Sequence, residues 1–283
     1  MNGVTADKKI KRNHRIVYIS QYLIEHPNEL VSLSYFVDYF DCAKSSISED
    51  LDFVREVFEH NELGVIQTIS GVSGGVIYYP QVPLAQQNQL FEEIAHKLKQ
   101  GKRILPGNYI YVSDVLQEAK LLNGIAKLIA TRYQGKGIDA VMTIETKGIG
   151  LSVAVARYLN VPYVVVRGDS SEAEGSTISI NYISGSLQTV KKMALSKLSL
   201  APQSNVLIVD DFLRNGGTVN GLLSMIEEFD CKPAGICVLA QNADQEKQTL
   251  PDYVALLDAQ IAYNKETGNF ELQVKKGNFF DAM

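Results

Sequence analysis

Four apolar runs in the second part of the chain constrain the fold more than any other feature of the sequence. Residues 140–144, 161–166, 206–209 and 234–240 are almost entirely apolar, and helix-forming stretches separate them. A strand without polar alternation is buried on both faces, which is typical of a parallel sheet covered by helices. Such sheets bind ligands at the carboxyl ends of their strands. From about residue 105, the sequence therefore predicts an α/β domain with a ligand site at one sheet edge.

The loop that follows the third of these runs carries the strongest chemical signal. In V-L-I-V-D-D-F-L-R-N-G-G-T, over 206–218, the adjacent carboxylates Asp210 and Asp211 end a buried strand and a glycine turn opens a helix. Glycines let a backbone close around a phosphate, and a helix N-terminus supplies free N–H groups. Thr218 adds a hydroxyl donor, whereas the carboxylates suit ribose hydroxyls or a Mg²⁺ ion. The loop predicts a sugar-phosphate site, and the alternative is an acidic turn before a helix.

Residues 13–79 follow a different pattern, which predicts three helices and then a β-hairpin. Ser32 is a predicted N-cap of the second helix. Ser46 and Glu49 stand in capping-box spacing at the start of the third. A glycine-rich stretch at 71–75 joins two β-prone runs. This order is that of a winged helix-turn-helix. The predicted organisation is a winged-helix DNA-binding domain over 1–80 and an effector-binding domain over 81–283.

The third helix of a winged helix-turn-helix places its first turn in the major groove of DNA. Carboxylates follow that turn at Glu49, Asp50 and Asp52, so we expect these acids to point away from phosphates or to pair with basic groups. The first turn itself carries small donors and one cation, and its predicted DNA-binding residues are Lys44, Ser45, Ser46 and Ser48.

A basic cluster near the N-terminus is the second candidate DNA contact. The chain as a whole has a net charge of -5, which argues against a generally basic nucleic-acid binder. We expect the cluster to precede the first helix and to run along the phosphate backbone. A solvated tail is the alternative for the cluster, and a winged helix used only for protein contacts is the alternative for the domain. The predicted contacts are Lys8, Lys11, Arg12 and Arg15.

Composition excludes several other classes of protein. The chain has 283 residues, 46% of them hydrophobic and 21% charged, which is ordinary for a globular protein. No apolar run approaches the roughly 20 residues that cross a bilayer, and no apolar segment follows the charged N-terminus as in a secretory signal. Three scattered cysteines favour reduced thiols. We therefore expect a cytoplasmic protein without membrane contact.

The loop over 206–218 resembles the signature of type I phosphoribosyltransferases, which bind 5-phosphoribosyl-1-diphosphate (PRPP). The resemblance implies that Asp210 and Asp211 hold the ribose hydroxyls and that residues 214–218 cradle the 5′-phosphate. It implies that E-T-K-G over 145–148 is the pyrophosphate loop. Phe212 would lie under a base ring, and if the ligand is a purine nucleotide, Phe212 or Tyr109 would stack on its base. The implied effector-binding residues are Tyr109, Glu145, Thr146, Lys147, Gly148, Arg167, Asp210, Asp211, Phe212, Arg214, Asn215, Gly216, Gly217 and Thr218.

Residues 168–204 separate two predicted strands and show no clear helical pattern in their first part. Their middle part alternates as S-T-I-S-I-N-Y-I, and a helix is expected only from about Val190. An exposed β-arm is one interpretation, while the same position in phosphoribosyltransferases is a mobile loop over PRPP. Arg167, Lys191 and Lys192 are candidate phosphate partners, with ordinary surface charge as the alternative.

The whole chain resembles the purine-operon regulator (PurR) family of Gram-positive bacteria. The runs K-S-S-I-S-E-D-L (44–51), I-E-T-K-G-I (144–149), E-G-S-T-I-S-I-N-Y-I-S-G-S (174–186) and N-V-L-I-V-D-D-F (205–212) carry this resemblance. It implies an α/β protein in which a winged helix precedes a type I phosphoribosyltransferase-like domain with a mainly parallel sheet. It also implies a homodimer that binds double-stranded DNA upstream of purine genes. If that dimer is two-fold symmetric, its operator is predicted to be an inverted repeat, because half-sites mirror protein symmetry.

The same resemblance implies that PRPP, with Mg²⁺ as an accompanying ion, is an effector rather than a substrate. No catalytic residue and no resident metal are expected. Two alternatives stay open. One is an active purine phosphoribosyltransferase with an accessory winged helix. The other is a regulator whose ligand is a purine nucleotide or a nucleoside polyphosphate, since these share the ribose and phosphate features of PRPP.

Overall fold

A computed structural model of the chain describes residues 10–71, 74–107, 109–169, 175–184, 189–243, 250–266 and 268–281. Lys8, one of the predicted DNA contacts, lies outside the described residues. The chain divides into two compact units, one ending at Pro83 and one beginning at Leu84. Of the described helices, none combines the length and the apolar character that a membrane span requires.

The first unit has the element order of a winged helix-turn-helix, as predicted. Its sheet is antiparallel, with strands in the order β1-β3-β2. The three helices pack around Ile19, Phe36 and Ile47, which are fully buried. The elements are α1 (Arg12–Glu25), β1 (Val31–Ser32), α2 (Leu33–Phe40), α3 (Lys44–His60), β2 (Gly64–Ile69) and β3 (Gly75–Pro80).

The helix boundaries of this unit confirm one predicted cap and correct another. The Ser32 side chain accepts a hydrogen bond from a backbone N–H of the first turn of α2, so the predicted N-cap is confirmed. In α3 the N-cap is Ala43, and Ser46 lies inside the first turn, where its N–H donates to the Ala43 carbonyl at 3.0 Å. The predicted capping box of Ser46 and Glu49 is therefore wrong, because the helix begins at Lys44.

The second unit is built on a six-stranded sheet with the order β13-β12-β11-β10-β6-β7. Neighbouring strands from β12 to β7 run parallel, and β13 is antiparallel to β12. The elements are α4 (Leu84–Leu98), β4 (Ile104–Leu105), β5 (Tyr109–Ile110), α5 (Ser113–Gln117), α6 (Ala119–Tyr133), β6 (Ala140–Ile144), α7 (Ile149–Leu159), β7 (Tyr163–Val166), β8 (Thr177–Ser184), β9 (Thr189–Ser196), β10 (Asn205–Leu213), α8 (Gly217–Glu228), β11 (Lys232–Asn242), β12 (Val254–Asn264), β13 (Asn269–Lys276) and a 3-10 helix (Asn278–Phe280).

The predicted mainly parallel sheet is thus confirmed, and the apolar runs form its central strands. The stretch between β5 and β6 forms two helices, because Glu118 takes an extended conformation between α5 and α6. The helix expected from about Val190 is wrong. That segment is β9, which pairs residue by residue with β8 in a two-stranded antiparallel sheet. A backbone bridge between Arg167 and Ala194 links this hairpin to the segment after β7.

Candidate functional site

Two adjacent carboxylates lie at the end of the buried part of β10, as the loop sequence predicted. Asp210 is 6% exposed, and its own carboxylate accepts a hydrogen bond from the Asp211 N–H at 2.8 Å. Burial raises the pKa of Asp210 well above its usual range, and the neighbouring Asp211 charge raises it further. Burial also raises the pKa of Asp211. A buried acidic pair of this kind is typical of a ligand-binding site.

The loop after β6 lies directly against Asp210. A Cβ atom on Gly148 would come within 2.6 Å of Asp210 Oδ1 and 2.5 Å of Thr143 Oγ1, so only glycine fits there. In the same loop, the Lys147 charge acts to lower the pKa of Asp211, against the larger effect of burial. The structure therefore brings the predicted pyrophosphate loop and the predicted ribose carboxylates together.

Glu145 begins this loop and connects it to the end of β7. Its Oε1 accepts a hydrogen bond from the Gly168 N–H at 2.7 Å, and its Oε2 lies 3.8 Å from an Arg167 guanidinium nitrogen. The peptide bond between Glu145 and Thr146 is cis. Arg167 is thereby placed beside the loop over 145–148, and its role as a phosphate partner stays a prediction.

A glycine turn, a few residues after the two carboxylates, starts α8. Gly216 is the N-cap with φ 91°, a left-handed conformation that favours glycine. A Cβ atom there would also lie 2.9 Å from a Leu250 methyl group. Among the described residues, no side chain caps this helix. Its first N–H groups and the Thr218 hydroxyl can therefore donate to a phosphate.

Two residues with separately predicted roles contact each other. The Arg214 guanidinium carbon lies 4.4 Å from the centroid of the Tyr109 ring, and Arg214 also donates to the Gly107 carbonyl at 3.0 Å. A base stacking on that face of Tyr109 would take the place of the guanidinium. Phe212 is half-buried in β10, where it pairs with Ala240 of β11.

In the first unit, the predicted recognition turn lies at the exposed start of α3. Lys44, Ser45 and Ser48 are exposed, and Ser46 is half-buried. The Ser48 hydroxyl donates to the Lys44 carbonyl at 3.2 Å, one turn back along the helix. These side chains are therefore placed together on one exposed helix end.

The basic cluster is placed differently from the prediction. Arg12 and Arg15 belong to α1 rather than preceding it, and both bind the fully buried Asp50 of α3. Arg15 Nε donates to Asp50 Oδ2 at 2.7 Å, and Arg12 Nε donates to Asp50 Oδ1 at 3.0 Å. Arg12 also lies over the Phe53 ring at 4.4 Å. The expectation that the acids of α3 pair with basic groups is confirmed for Asp50, and the exposed Lys11 stays at the helix start.

Sequence reasoning missed Tyr182, which the structure adds to the site. Its hydroxyl hydrogen-bonds with the Thr218 side chain, and the Asp210 charge acts on it as well. Burial raises the pKa of this phenol, and the Asp210 charge adds to that effect. The alternation over 176–183 could have indicated that residues 178, 180 and 182 share one face, but not what that face contacts.

Comparison with protein families matches each unit to a separate model. The family described as "Bacterial purine repressor, N-terminal" matches residues 11–80. The family described as "Phosphoribosyl transferase domain" matches residues 112–273, a range that includes both loops of the site.

Three curated proteins resemble this chain over nearly its full length. The probable purine biosynthesis transcriptional regulator PurR of Streptococcus pneumoniae (strain TIGR4) is 46% identical over 96% of this chain and 98% of its own length. The purine biosynthesis transcriptional repressor PurR of Bacillus subtilis is 41% identical, with 96% and 94% covered. The purine biosynthesis transcriptional activator PurR of Lactococcus lactis (strain IL1403) is 42% identical, with 96% and 99% covered.

Proposed function

The chain belongs to the purine-operon regulator (PurR) family, and from this premise we propose that it regulates transcription of purine biosynthesis and salvage genes by binding DNA and sensing PRPP. The winged helix of the first unit would bind DNA. The phosphoribosyltransferase-like second unit would bind the effector. Relatives matched over nearly the full length are named as transcriptional regulators, which supports the first half of this proposal.

One observation carries the PRPP half of the proposal. Gly148 of the loop over 145–148 lies directly against Asp210, and the glycine turn before α8 follows Asp210 and Asp211 by a few residues. The carboxylates suit ribose hydroxyls, and the two flanking elements suit phosphates on either side of a sugar. A sugar with phosphates at both its C1 and C5 ends fits this arrangement. Arg167 and Lys147 would supply cations at the diphosphate end.

Mg²⁺ is proposed only as a companion of the ligand. Across the described residues, no group of three or more His, Cys, Asp or Glu side chains converges to hold a metal ion. The carboxylates of Asp210 and Asp211 fit a divalent ion whose remaining oxygen ligands come from PRPP and water. The ion would screen the diphosphate charge.

The proposed DNA partner is an inverted repeat upstream of purine genes, bound by a homodimer. A two-fold dimer presents two recognition helices related by symmetry, so its half-sites mirror that symmetry. Such a regulator would act in the cytoplasm, where bacterial DNA lies. Curated relatives are named both as repressor and as activator.

The proposal is tested by measuring retention of DNA fragments from upstream regions of purine genes, with and without PRPP. We expect specific retention at low salt and a change in affinity when PRPP is added. Absence of retention at low salt would remove the DNA-binding half. Retention that PRPP leaves unchanged would remove the effector half.

The competing enzyme hypothesis is tested by mixing the protein with PRPP and each purine base and following pyrophosphate release. The regulator names of the full-length relatives support the absence of turnover. Robust release would contradict a pure regulator. Calorimetric titrations with PRPP and with guanine nucleotides then rank the candidate effectors, because Tyr109 and Phe212 offer rings for a base that PRPP lacks.

A further inference from the structure

The β8–β9 hairpin has two faces, and its register assigns each side chain to one of them. Tyr182 pairs directly with Lys191, and Asn181 pairs directly with Lys192. Residues directly opposite each other in an antiparallel pair project to the same face, whereas neighbours along a strand project to opposite faces. Lys191 therefore shares the face of Tyr182, and Lys192 projects to the other face.

The face that carries Tyr182 contacts α8, close to its N-terminus. A Cβ atom built on Gly221 would lie 2.9 Å from Met193 Sδ and 3.0 Å from Tyr182 Cβ, so this face lies directly on the first turns of the helix. Ile178 and Ile180 pack against the core of the second unit on the same side. The hairpin is thus anchored by its apolar half, while Tyr182 reaches Thr218 at the start of α8.

Tyr182 connects this face to the site. Its hydroxyl hydrogen-bonds with Thr218, the residue that offers its own hydroxyl at the start of α8. Lys191 lies across the strand pair, with its Cβ about 5 Å from that of Tyr182. Lys191 is exposed, and within the described part of the chain it forms no ion pair. Its long side chain can therefore reach a phosphate that Thr218 binds.

We propose that the β8–β9 hairpin completes the phosphate end of the effector site, with Tyr182 positioning the Thr218 hydroxyl and Lys191 binding the 5′-phosphate of the ligand. The inference rests on the proposed effector function. A lysine acts on phosphate as a mobile point charge and adds to the N–H donors of a helix N-terminus. Lys192, on the opposite face, takes no part in the site.

This assignment predicts which ligands depend on the hairpin. The contact concerns the 5′-phosphate near Thr218 and not the diphosphate near Lys147. Ribose 5-phosphate, PRPP and purine nucleotides all carry a 5′-phosphate, so Lys191 serves each of them. Inorganic pyrophosphate, which fits the loop over 145–148, does not need Lys191.

Calorimetric titration of the full-length protein and three variants tests the inference. With PRPP and with ribose 5-phosphate, Lys191→Ala weakens binding on the order of tenfold, as expected for loss of a charged hydrogen bond. The matched control Lys192→Ala stays within about twofold of the wild type. Tyr182→Phe keeps the Cβ contact with Gly221, removes only the hydroxyl, and lowers affinity by a few-fold. Affinity for pyrophosphate is the same in the wild type and all three variants.

Equal losses in Lys191→Ala and Lys192→Ala would overturn the inference, because a diffuse surface charge would then explain both. A loss of pyrophosphate affinity in Lys191→Ala would place the lysine at the other end of the site. If the wild type binds none of these ligands, the proposed effector function itself fails. If the wild type binds PRPP and Lys191→Ala binds it equally well, only the role of the hairpin fails.

Discussion

Two buried aspartates, one in each unit, have opposite electrostatic surroundings. Asp50 in α3 is fully buried, and each of its oxygens accepts a hydrogen bond from an arginine of α1. Asp210 in β10 is 6% exposed and lies beside a second carboxylate. Within the described residues, Asp210 has no ion pair with a lysine or arginine. Burial and the Asp211 charge therefore raise its pKa.

These different surroundings indicate different roles, a structural role for Asp50 and a proposed ligand-binding role for Asp210. A buried charge that is paired and hydrogen-bonded joins parts of the fold, here α1 and α3. A buried charge without such a partner costs stability, and residues of this kind concentrate at sites where a ligand supplies the missing partner. For Asp210, ribose hydroxyls and a Mg²⁺ ion are partners of the right chemistry. Replacing Asp50 should consequently lower the stability of its unit, whereas replacing Asp210 should raise it.

The largest expected effect is on the first unit. Asp50→Ala leaves the Arg15 guanidinium, whose side chain is only 12% exposed, without its carboxylate. We expect the unfolding free energy of this unit to fall by about 3 kcal/mol, since removing one partner of a buried pair is strongly destabilising. Denaturant unfolding measures the loss, and DNA retention falls with it. Asp52→Ala is the matched control, because Asp52 is 70% exposed. Equal stability of both variants would show that the Asp50 pairs contribute nothing.

The second expected effect is on effector binding. Changing Asp210 and Asp211 together to Asn removes charge-assisted contacts to the ribose, which should cost on the order of 3 kcal/mol, or about a hundredfold in PRPP affinity. DNA binding should be nearly intact and no longer respond to PRPP, because an effector acts only through its different affinities for two states.

Calorimetry with PRPP and DNA retention with and without PRPP check this expectation. A variant that no longer binds PRPP yet still responds to it on DNA would show that this loop is not the sensor. A variant that loses DNA binding with no PRPP added would place these carboxylates in the fold or the DNA interface.

The third effect is a pH dependence of stability, with a sign set by the raised pKa of Asp210. An acid whose pKa is higher in the folded than in the unfolded state binds its proton more tightly when folded. Stability is then full below the unfolded value of about 3.9 and declines as the pH rises through the raised folded value. Asp210→Asn should remove this decline and raise the melting temperature of the second unit at neutral pH.

Thermal unfolding of wild type and Asp210→Asn at pH 5 and pH 7.5 measures the effect. A gain of about 1 kcal/mol corresponds to roughly 2–4 °C for a unit of this size. The advantage of the variant should be larger at pH 7.5, where the wild-type carboxylate has a greater tendency to ionise. A lower melting temperature for the variant at pH 7.5 would mean that the carboxylate stabilises the fold, as Asp50 does.

The sequence predicted those features that depend on neighbouring residues. Apolar runs over 140–144 and 206–209 became central strands, and the Asp-Asp and Gly-Gly positions followed directly from where the strand ends and α8 begins. The Ser32 cap could be predicted because its partner lies three residues away. The order of three helices and a hairpin also depends on local sequence patterns, so it could be predicted in the same way.

Features that depend on distant partners could not be predicted. Arg12 and Arg15 bind Asp50, which lies 38 and 35 positions away in sequence. The sequence therefore indicated a basic segment before the first helix that runs along DNA, and not two ion-pair partners of the buried Asp50. The helix expected from Val190 is a strand, because the residues of β8 that pair with it decide its conformation. The position of Tyr182 beside Thr218 depends on that same hairpin.

The smallest expected effect concerns the cations of the first unit and their contribution to DNA affinity. Changing Lys8, Lys11, Arg12 and Arg15 together to Ala should weaken binding to all DNA sequences alike, since phosphate contacts carry affinity and little sequence information. The slope of log affinity against log salt should shrink by about 0.9 for each DNA phosphate that the variant no longer neutralises. The four cations are not equivalent, however. Arg15 already pairs with the Asp50 carboxylate at 2.7 Å, so it contributes less charge to DNA binding than an exposed lysine does.

Single variants distinguish free cations from paired ones. Lys11→Ala should shrink the salt slope by about 0.9 and leave the unfolding free energy unchanged, because Lys11 is exposed. Arg15→Ala should lower the unfolding free energy instead and change the slope little. Lys265→Ala, an exposed lysine of the second unit, controls for net charge. If Arg15→Ala shrinks the slope as much as Lys11→Ala at equal stability, Arg15 contacts phosphate. Asp50 would then not be a structural carboxylate paired with Arg15, and its contrast with Asp210 would fail.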